Sequence, residues 1–298
     1  MKLAFLPSEY KGELKILCAE LEISNEMERL LLQAWDTLEP DLAEPVLQAV
    51  FSDIPFDAAA RRVQAFCEKQ GPMHALRGLA VYLLAALHTK EIYRRRGIPD
   101  GIYTDTIKAL VRFTREDTQR AGQITFQRFA WSCRHLRASI FRLGALEYEM
   151  RILTDTEPPV GGAAAGDAAL SVHIPSDAAF LPHALRKSYK LAGRFFRQYF
   201  PVFDFRCVYC DSWLLSPVLK DILRPESKIL QFQSDYVIEH VDCGDNSGMI
   251  WAFQMETDTY EELPADNALR QGLKNRLLSG GAIGSARGYV RSDVFERC

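Results

Sequence analysis

The first part of the chain, to about residue 140, carries its apolar side chains at helical spacing. In the segment that Ser8 is expected to cap, one helix stripe consists of Leu14, Ile16, Leu17 and Leu21. A second helix is predicted to start at Ser24, and a long one to run from about Met73 to Arg96. The same period recurs in "EPDLAEPVLQAVF", in "PFDAAARRVQAFCEKQG", which Gly71 stops, and in "TDTIKALVRFTRED" and "TFQRFAWSCRHLRASI". The pattern predicts an all-helical N-terminal domain over residues 1–139.

From Phe141 onward the apolar pattern changes to strands that alternate with helices. In "FRLGALEYEMRIL" the alternation predicts one half-exposed strand, with an apolar face of Leu146, Tyr148 and Met150 and a solvent face of Glu147, Glu149 and Arg151. Further strands are predicted in "LSVHIP", "FRCVYCDSW" and "GAIGSARGYV". We also predict that "DYVIEHVDC" and "GMIWAFQME" form an antiparallel pair around the turn "GDNSG".

The helices of this second part lie between its strands. An amphipathic helix follows Pro175, with Ser176 or Asp177 near its cap and Pro182 in its first turn. Shorter helices are predicted in "SPVLKDIL" and "ESKILQF", and a longer one in "LPADNALRQGLKNRLLSG". The chain is therefore expected to be an α+β protein of two domains. The second, over residues 140–298, has a mixed α/β fold with a central, mostly antiparallel sheet.

Composition narrows the classes of partner. The net charge of −3 and the pI near 6.1 provide no overall positive field, so nucleic acid is not expected to bind. The basic cluster in Tyr93–Gly97 falls where a helix ends, and cations there complement the helix dipole. The N-terminus lacks the apolar run of a signal peptide, and the most apolar stretch, Leu79–His88, has about half the length of a membrane helix. We expect a cytoplasmic protein without a membrane partner, whose 7 cysteines are reduced thiols.

Four residues have the chemistry of a zinc site: Cys207, Cys210, His240 and Cys243. The predicted strand argues against this site, because successive side chains of a strand point to opposite faces and Cys207 and Cys210 would diverge. The same geometry disfavours a redox pair, which needs its thiols at a helix N-terminus. No metal is expected. The alternation instead places Cys210 beside Ser212 on one face of the strand.

Several segments, in order, resemble a bacterial family of GNAT-like acyltransferases. The most specific are "RLGALEYE" and "CDSWLLSP", and the likeness extends over "IYRRRGIPDGIYTDTIKALVRF", "AWSCRHLRASIF", "VHIP", "FFRQYFP", "SKILQF", "LPADNALRQGL" and "SGGAIGSARGYV". The resemblance implies a helical domain followed by a GNAT-like domain, with acyl-CoA as co-substrate. It also implies that the thioester arm lies between the splayed parallel strands "LSVHIP" and "FRCVYCDSW", with its pyrophosphate at the start of the next helix. The segment "SDAAFLPHAL" departs from the family pattern because it contains no glycine.

Transfer of an acyl group from a thioester to an amine needs a base for the amine and a group near the departing sulfur. The expected catalytic residues are Glu147, His173 and Ser212. The donor is expected to contact Ile174, Ser176, Arg186 and Cys210, and the acceptor to contact Trp131, Arg134, Arg142 and Glu149. Each residue has a structural alternative: the glutamates are solvated, the histidine is satisfied in the core, Cys210 is a packed thiol and the arginines form domain-boundary ion pairs.

Two functions therefore remain open from the sequence. The first is an acyltransferase that uses a small-molecule thioester and an amine acceptor. The second is a binding protein that keeps the GNAT-like fold without turnover and recognises a small ligand, a peptide or a protein. The missing glycine-rich loop favours the second function, and the paired strands with polar residues favour the first.

Overall fold

A computed structural model describes residues 7–37, 47–69, 73–255 and 257–295 of the chain. Contacts divide the chain into two compact units, one formed by residues 1–141 and the other by residues 142–298. The described part of the first unit is helical, and the second unit is built around a single mixed sheet.

The helices of the first unit are α1 (Pro7–Glu20), α2 (Asn25–Asp36), α3 (Phe56–Lys69), α4 (His74–Arg95), α5 (Asp100–Ala121) and α6 (Phe129–Leu136). A helical turn at 47–50 precedes α3, while most of the predicted helix there and the predicted stop at Gly71 lie outside the described residues. Ser24 caps α2 as predicted, because its hydroxyl accepts a hydrogen bond of 3.3 Å from the Met27 amide. Helix α1 begins at Pro7, so Ser8 lies in its first turn and is not its cap.

Helix α4 forms the centre of this unit's core. Its residues 76–86 are buried without interruption, as expected for an apolar stretch too short to span a bilayer. The Tyr82 hydroxyl donates to the Phe129 carbonyl over 3.1 Å, and the Tyr82 ring packs edge-on against Phe126 and Phe129. Gly78 also lies against Phe129, so closely that a Cβ atom at Gly78 would overlap the ring. Among the described residues, no helix has both the length and the apolar content needed to cross a membrane.

The described part of the second unit is built on six strands: β1 (Ile140–Leu143), β2 (Leu146–Ile152), β3 (Ala168–His173), β4 (Cys207–Ser212), β5 (Tyr236–Asp242) and β6 (Ser285–Val290). Strand β1 begins just before the unit boundary. The strands form one sheet in the order β1-β2-β3-β4-β6-β5. Strands β3 and β4 are parallel, whereas the pairs β2 with β3, β4 with β6 and β5 with β6 are antiparallel. The prediction of a mostly antiparallel sheet is confirmed.

The helices of this unit are α7 (Pro182–Tyr199), α8 (Leu219–Ile222), α9 (Lys228–Gln233), α10 (Gly248–Phe253) and α11 (Ala268–Leu278). Helix α7 connects β3 to β4 and packs its apolar side against the sheet. Its Ser188 hydroxyl accepts from the Leu146 amide over 3.2 Å and lies 3.0 Å from the Tyr148 hydroxyl. A parallel pair requires such a crossover.

The structure corrects three predictions for this unit. The segment predicted as one strand from Phe141 is two strands, β1 and β2, separated at Gly144, whose φ of 75° suits glycine. The segment "GMIWAF" is helix α10 and does not pair with β5, because a short apolar run fits either period. Helix α7 begins at Pro182, so Ser176 and Asp177 belong to the preceding turn and do not cap it.

Side chains divide between two faces of the sheet. One face carries Glu149, Ser171, Tyr209 and Arg287, which lie on four neighbouring strands, and we call it the polar face. The opposite face, which we call the helix face, packs against α7. The long loop over residues 153–167 folds over the start of the polar face, where Val160 and Ala163 pack with Ala169, Cys207 and Tyr209. The end of the polar face, beyond this loop, holds most of the residues with candidate chemistry.

Candidate functional site

Strands β3 and β4 pair only along their first halves. Their register joins Ala169 to Cys207, Leu170 to Val208 and Ser171 to Tyr209. Beyond these positions β3 pairs only with β2, and β4 pairs only with β6, across residues 210–212. The two parallel strands therefore separate at their carboxyl ends and leave a gap between them. Ligands of sheets with parallel strands commonly bind at such carboxyl ends.

His173 is the last residue of β3 and stands at this gap. Its Nε2 atom lies 2.9 Å from Oε2 of Glu149 on the neighbouring strand. Glu149 is buried with a residue exposure of 2%, whereas the His173 side chain is 21% exposed. A buried carboxylate that accepts a hydrogen bond from one imidazole nitrogen fixes the tautomer of the ring. The structure thus brings together two of the predicted site residues.

Glu147 lies next to this pair, directly across from His173 in the register of β2 and β3. It is 2% exposed, and its carboxylate lies 4.0 Å from Nη1 of Arg142. The same Arg142 atom donates to Asp177 over 2.9 Å. The prediction that Glu147 and Glu149 are solvated on a half-exposed strand is wrong, since both are buried among charged partners.

A chain of charged groups continues across the polar face from Glu149. Arg151 lies 3.1 Å from Glu157, Glu157 lies 3.3 Å from Arg287, and Arg287 lies 3.0 Å from Asp211. Partial burial by itself raises the pKa of Glu157, but hydrogen bonds from Thr154 and the charges of both arginines outweigh it and lower the pKa. These contacts attach the 153–167 loop to the sheet.

Asp211 ends the polar face on the β4 side of the gap. It lies two residues beyond Tyr209, as His173 lies two residues beyond Ser171, so Asp211 and His173 occupy matching positions of the two separated strands. Its Oδ2 atom accepts from Arg287, and half of its side chain is exposed. Among the described residues, Oδ1 has no hydrogen-bond partner. Sequence reasoning missed Asp211, although the alternation along β4 had already placed it on a different face from Cys210.

Cys210 and Ser212 lie away from this cluster. Alternation along β4 turns both toward the helix face, whereas Asp211 turns toward the polar face. Cys210 is 1% exposed, and burial followed by the nearby charge of Asp211 raises its pKa well above the ordinary thiol value. The Ser212 hydroxyl accepts from the Leu214 amide over 3.1 Å and so caps the turn after β4. These two residues do not form one site with His173 on the polar face.

The residues predicted to contact the donor beyond the gap are spread along the chain after β3. Ile174 is half-buried and packs with the cluster that includes Leu214 and Ile283. Ser176 and Arg186 are exposed. Helix α7 has Pro182 at its first position and no side-chain cap, so this end offers one amide fewer than an ordinary helix.

The predicted acceptor residues Trp131 and Arg134 belong to the first unit. The Arg134 guanidinium lies 4.7 Å from the Trp131 ring and 4.8 Å from the Phe56 ring. The stacked Arg134 guanidinium holds α6 against α3. Arg142, the third residue of this set, belongs to the second unit and pairs with Glu147 and Asp177.

The four residues with the chemistry of zinc ligands are not grouped. Cys207 faces the 153–167 loop, Cys210 faces the opposite side, and His240 lies 2.7 Å from the Pro159 carbonyl. Within the described ranges, no set of three or more histidine, cysteine, aspartate or glutamate residues could hold a metal ion.

Comparison with known proteins gives matches to both halves of the chain. Residues 12–138 match the model of an N-acyltransferase N-terminal domain, and residues 140–290 match that of a GNAT-like C-terminal domain. No curated protein matches the chain.

Solved structures resemble the chain over nearly its whole length. An acyltransferase mutant in complex with octanoyl-CoA has a TM-score of 0.76 at 23% identity, covering 94% of this chain and 88% of that one. An acyltransferase in complex with decanoyl-CoA and teicoplanin has a TM-score of 0.74 at 22% identity, covering 94% and 87%. A third, in complex with CoA and 10C-teicoplanin, has a TM-score of 0.67 at 20% identity, covering 93% and 99%. At these identities the likeness establishes the fold, and the domain matches establish the relationship. The chain therefore belongs to the family in which an N-acyltransferase N-terminal domain precedes a GNAT-like C-terminal domain.

Proposed function

We propose that this protein transfers an acyl group from acyl-CoA, or a related thioester, to an amine. The observation that carries the proposal is the gap between β3 and β4, with the His173 and Glu149 pair at its edge. The structures that resemble the chain are acyltransferases whose complexes contain octanoyl-CoA or decanoyl-CoA. Their donors are consistent with a thioester in this gap. Because acyl-CoA is a cytoplasmic metabolite, we also propose that the protein acts in the cytoplasm.

His173 acts as the general base. When Nε2–H donates to Glu149, the lone pair of the neutral ring is on Nδ1. This nitrogen takes the proton of the amine as the C–N bond forms, and Glu149 stabilises the resulting imidazolium. The tetrahedral intermediate then expels the thiolate, so the C–S bond breaks and the imidazolium returns its proton to the departing sulfur, directly or through water. Glu147 holds Arg142 beside this pair, and in this proposal it supports the site without being the base.

The donor and the acceptor approach from the two faces of the sheet. We assign the donor to the helix face, where Ser212 at the end of β4 can hydrogen-bond the sulfur and where Ile174, Ser176 and Arg186 follow β3. The side chain of Cys210 packs beside the donor there. It takes part in no covalent step, since its thiol is buried. A thiolate nucleophile would need a lowered pKa, which is the opposite of the shift at Cys210.

We assign the amine to the polar face, where Asp211 pairs with its ammonium form. This form first loses one proton to solvent, and the neutral amine then attacks and gives its second proton to His173. Arg142 and Glu149 border this side. A carboxylate half-exposed to solvent and oriented by Arg287 suits an ammonium group. The acceptor is therefore expected to be a small molecule with an accessible primary amine.

Octanoyl-CoA and a panel of primary amines test this function through release of free thiol. We expect octanoyl-CoA to raise the thermal midpoint of the protein, since a ligand that binds the native state stabilises it. We also expect thiol release that depends on the amine and is lost in His173→Ala. A raised midpoint without thiol release for any amine would favour the binding protein. Neither effect with any acyl-CoA would refute the proposal.

A further inference from the structure

The exposed side of α7 carries a row of cations, of which the proposed reaction uses only Arg186. The row, which we call the cationic stripe, consists of Arg186, Lys187, Lys190, Arg194 and Arg197, all exposed. At 100° per residue these five positions fall within one arc of about 100° on the helix. Helix α7 contains no aspartate or glutamate. The stripe is therefore purely cationic, in a chain whose net charge is −3.

Within the described part of the chain, most charges of the stripe have no carboxylate partner. Elsewhere Arg206 pairs with Asp167 over 2.9 Å and Arg270 pairs with Asp266 over 2.7 Å. Among the described residues, Arg186 is the only member of the stripe with nearby carboxylates, those of Asp235 and Asp293.

The other four members have no ion-pair partner among the described residues. Lys187 and Lys190, Lys190 and Arg194, and Arg194 and Arg197 are spaced three or four residues apart, so like charges face each other and repel. A row that destabilises its own helix is explained by an anionic partner that relieves the repulsion.

The position of α7 places the start of the stripe near the proposed donor site. Helix α7 returns the chain from the end of β3 to the start of β4. Its first turn therefore lies near the carboxyl ends of these two strands, where His173 lies. The stripe begins at that end and runs away from it over 11 residues, or about 16 Å. If the donor lies on the helix face, as proposed, its carrier approaches the end of α7 at which the stripe begins.

We propose that the stripe docks an acidic carrier protein that presents the acyl group on a phosphopantetheine arm. This inference rests on the proposed function and names the preferred form of its donor. Thioesters of the same arm occur on the CoA nucleotide and on carrier proteins, and the stripe favours the protein. An acidic helix spreads its carboxylates every three or four residues, which matches the stripe, whereas the phosphates of a nucleotide are clustered.

Two further features favour a protein as the partner. Leu191 is 37% exposed beside the stripe, and an apolar side chain next to cations suits a protein surface better than a phosphate backbone. The chain has no wider positive field of the kind that binds nucleic acid. The reaction is balanced as before: the C–N bond forms, the C–S bond breaks, His173 takes the amine proton and the carrier leaves with its free thiol.

The test compares one acyl group on three donors: octanoyl-CoA, octanoyl-pantetheine and an octanoyl-loaded acidic acyl carrier protein. Lys190→Glu with Arg194→Glu reverses the middle of the stripe, and Lys220→Glu with Lys228→Glu makes the same charge change at exposed positions of α8 and α9. We expect kcat/KM for the carrier donor to exceed that for octanoyl-pantetheine at least tenfold. It should fall about tenfold in the stripe variant and in 0.5 M salt, because exposed charges are screened. The control variant and all rates with octanoyl-CoA should change less than twofold.

Equal losses with octanoyl-CoA and the carrier donor would overturn the inference, because the stripe would then hold the nucleotide phosphates. Equal rates for the carrier donor and octanoyl-pantetheine would overturn it as well. Fluorescence anisotropy of the labelled carrier, measured with and without the stripe substitutions, needs no turnover and separates this inference from the proposed function. A carrier that binds no better than DNA or anionic phospholipid vesicles would refute docking even if octanoyl-CoA is a substrate. Stripe-dependent carrier binding without any turnover would support docking and refute the acyl transfer.

Discussion

Replacement of Glu149 by glutamine tests the proposed base most directly. The substitution keeps the size of the side chain and removes the charge that faces His173 across 2.9 Å. Two unit charges about 4 Å apart interact by about 4 kcal/mol at an effective dielectric of about 20. If about half of the imidazolium charge has developed in the transition state, the lost stabilisation is about 2 kcal/mol, or about 30-fold in kcat.

The assay is thiol release from octanoyl-CoA at saturating amine, with KM for the amine measured separately. Because Glu149 acts on a charge that forms during the reaction, kcat should fall while KM stays within about twofold. Glu226→Gln removes an exposed carboxylate and serves as the matched control, with an expected kcat like that of the wild type. Thermal unfolding confirms that both variants are folded. A folded Glu149→Gln protein with wild-type kcat would show that His173 is not activated by this pair, and the mechanism would have to be abandoned.

Four further outcomes follow from the structure. Asp211→Asn should raise KM for the amine about tenfold and leave kcat nearly unchanged, and an unchanged KM would remove Asp211 from the acceptor site. Cys210→Ala should retain kcat within about twofold, whereas loss of turnover in a folded variant would indicate an acyl-thiol intermediate. Gly78→Ala should destabilise the protein by about 1–3 kcal/mol in thermal or denaturant unfolding through overpacking, while Gly12→Ala, which has open space, should not. The lowered pKa of Glu157 contributes stability that is present above its ordinary value of 4.5 and lost on further acidification, so Glu157→Gln should weaken the acid dependence of the thermal midpoint, and an unchanged dependence would contradict this.

Local patterns were sufficient to predict much of the architecture. Apolar positions at helical spacing identified α4, α5 and α7, and the cap at Ser24 is where the sequence indicates. Alternation along β4 correctly placed Cys207 and Cys210 on opposite faces of the sheet. These features depend on residues within a few positions of each other, and that is the range over which backbone geometry fixes side-chain direction.

The environment of the glutamates could not be predicted in the same way. Glu149 and Glu147 were expected in solvent because alternation identifies a face but not what covers it. The partner of Glu149 is His173, 24 residues away, and Arg142 reaches Asp177, 35 residues away. The ion pair between Glu157 and Arg287 joins residues that are 130 positions apart in the sequence. Only the order of strands in the sheet brings these groups together.

The short apolar run "GMIWAF" shows the other limit. Six residues of this kind satisfy both a strand and a helix, and the decision comes from outside the segment. The segment forms α10, with Ala252 and Phe253 buried in the neighbouring apolar cluster.

The odd and even positions of β4 have a consequence for how specificity can diverge in this family. If the donor lies on the helix face and the amine on the polar face, Cys210 and Ser212 border one substrate while Tyr209 and Asp211 border the other. Point substitutions in a single six-residue strand can then alter either substrate preference while the other is inherited unchanged. A deletion of one residue within the strand would exchange the two sets at once. Natural variation here should accordingly consist of replacements, with the length of β4 held constant.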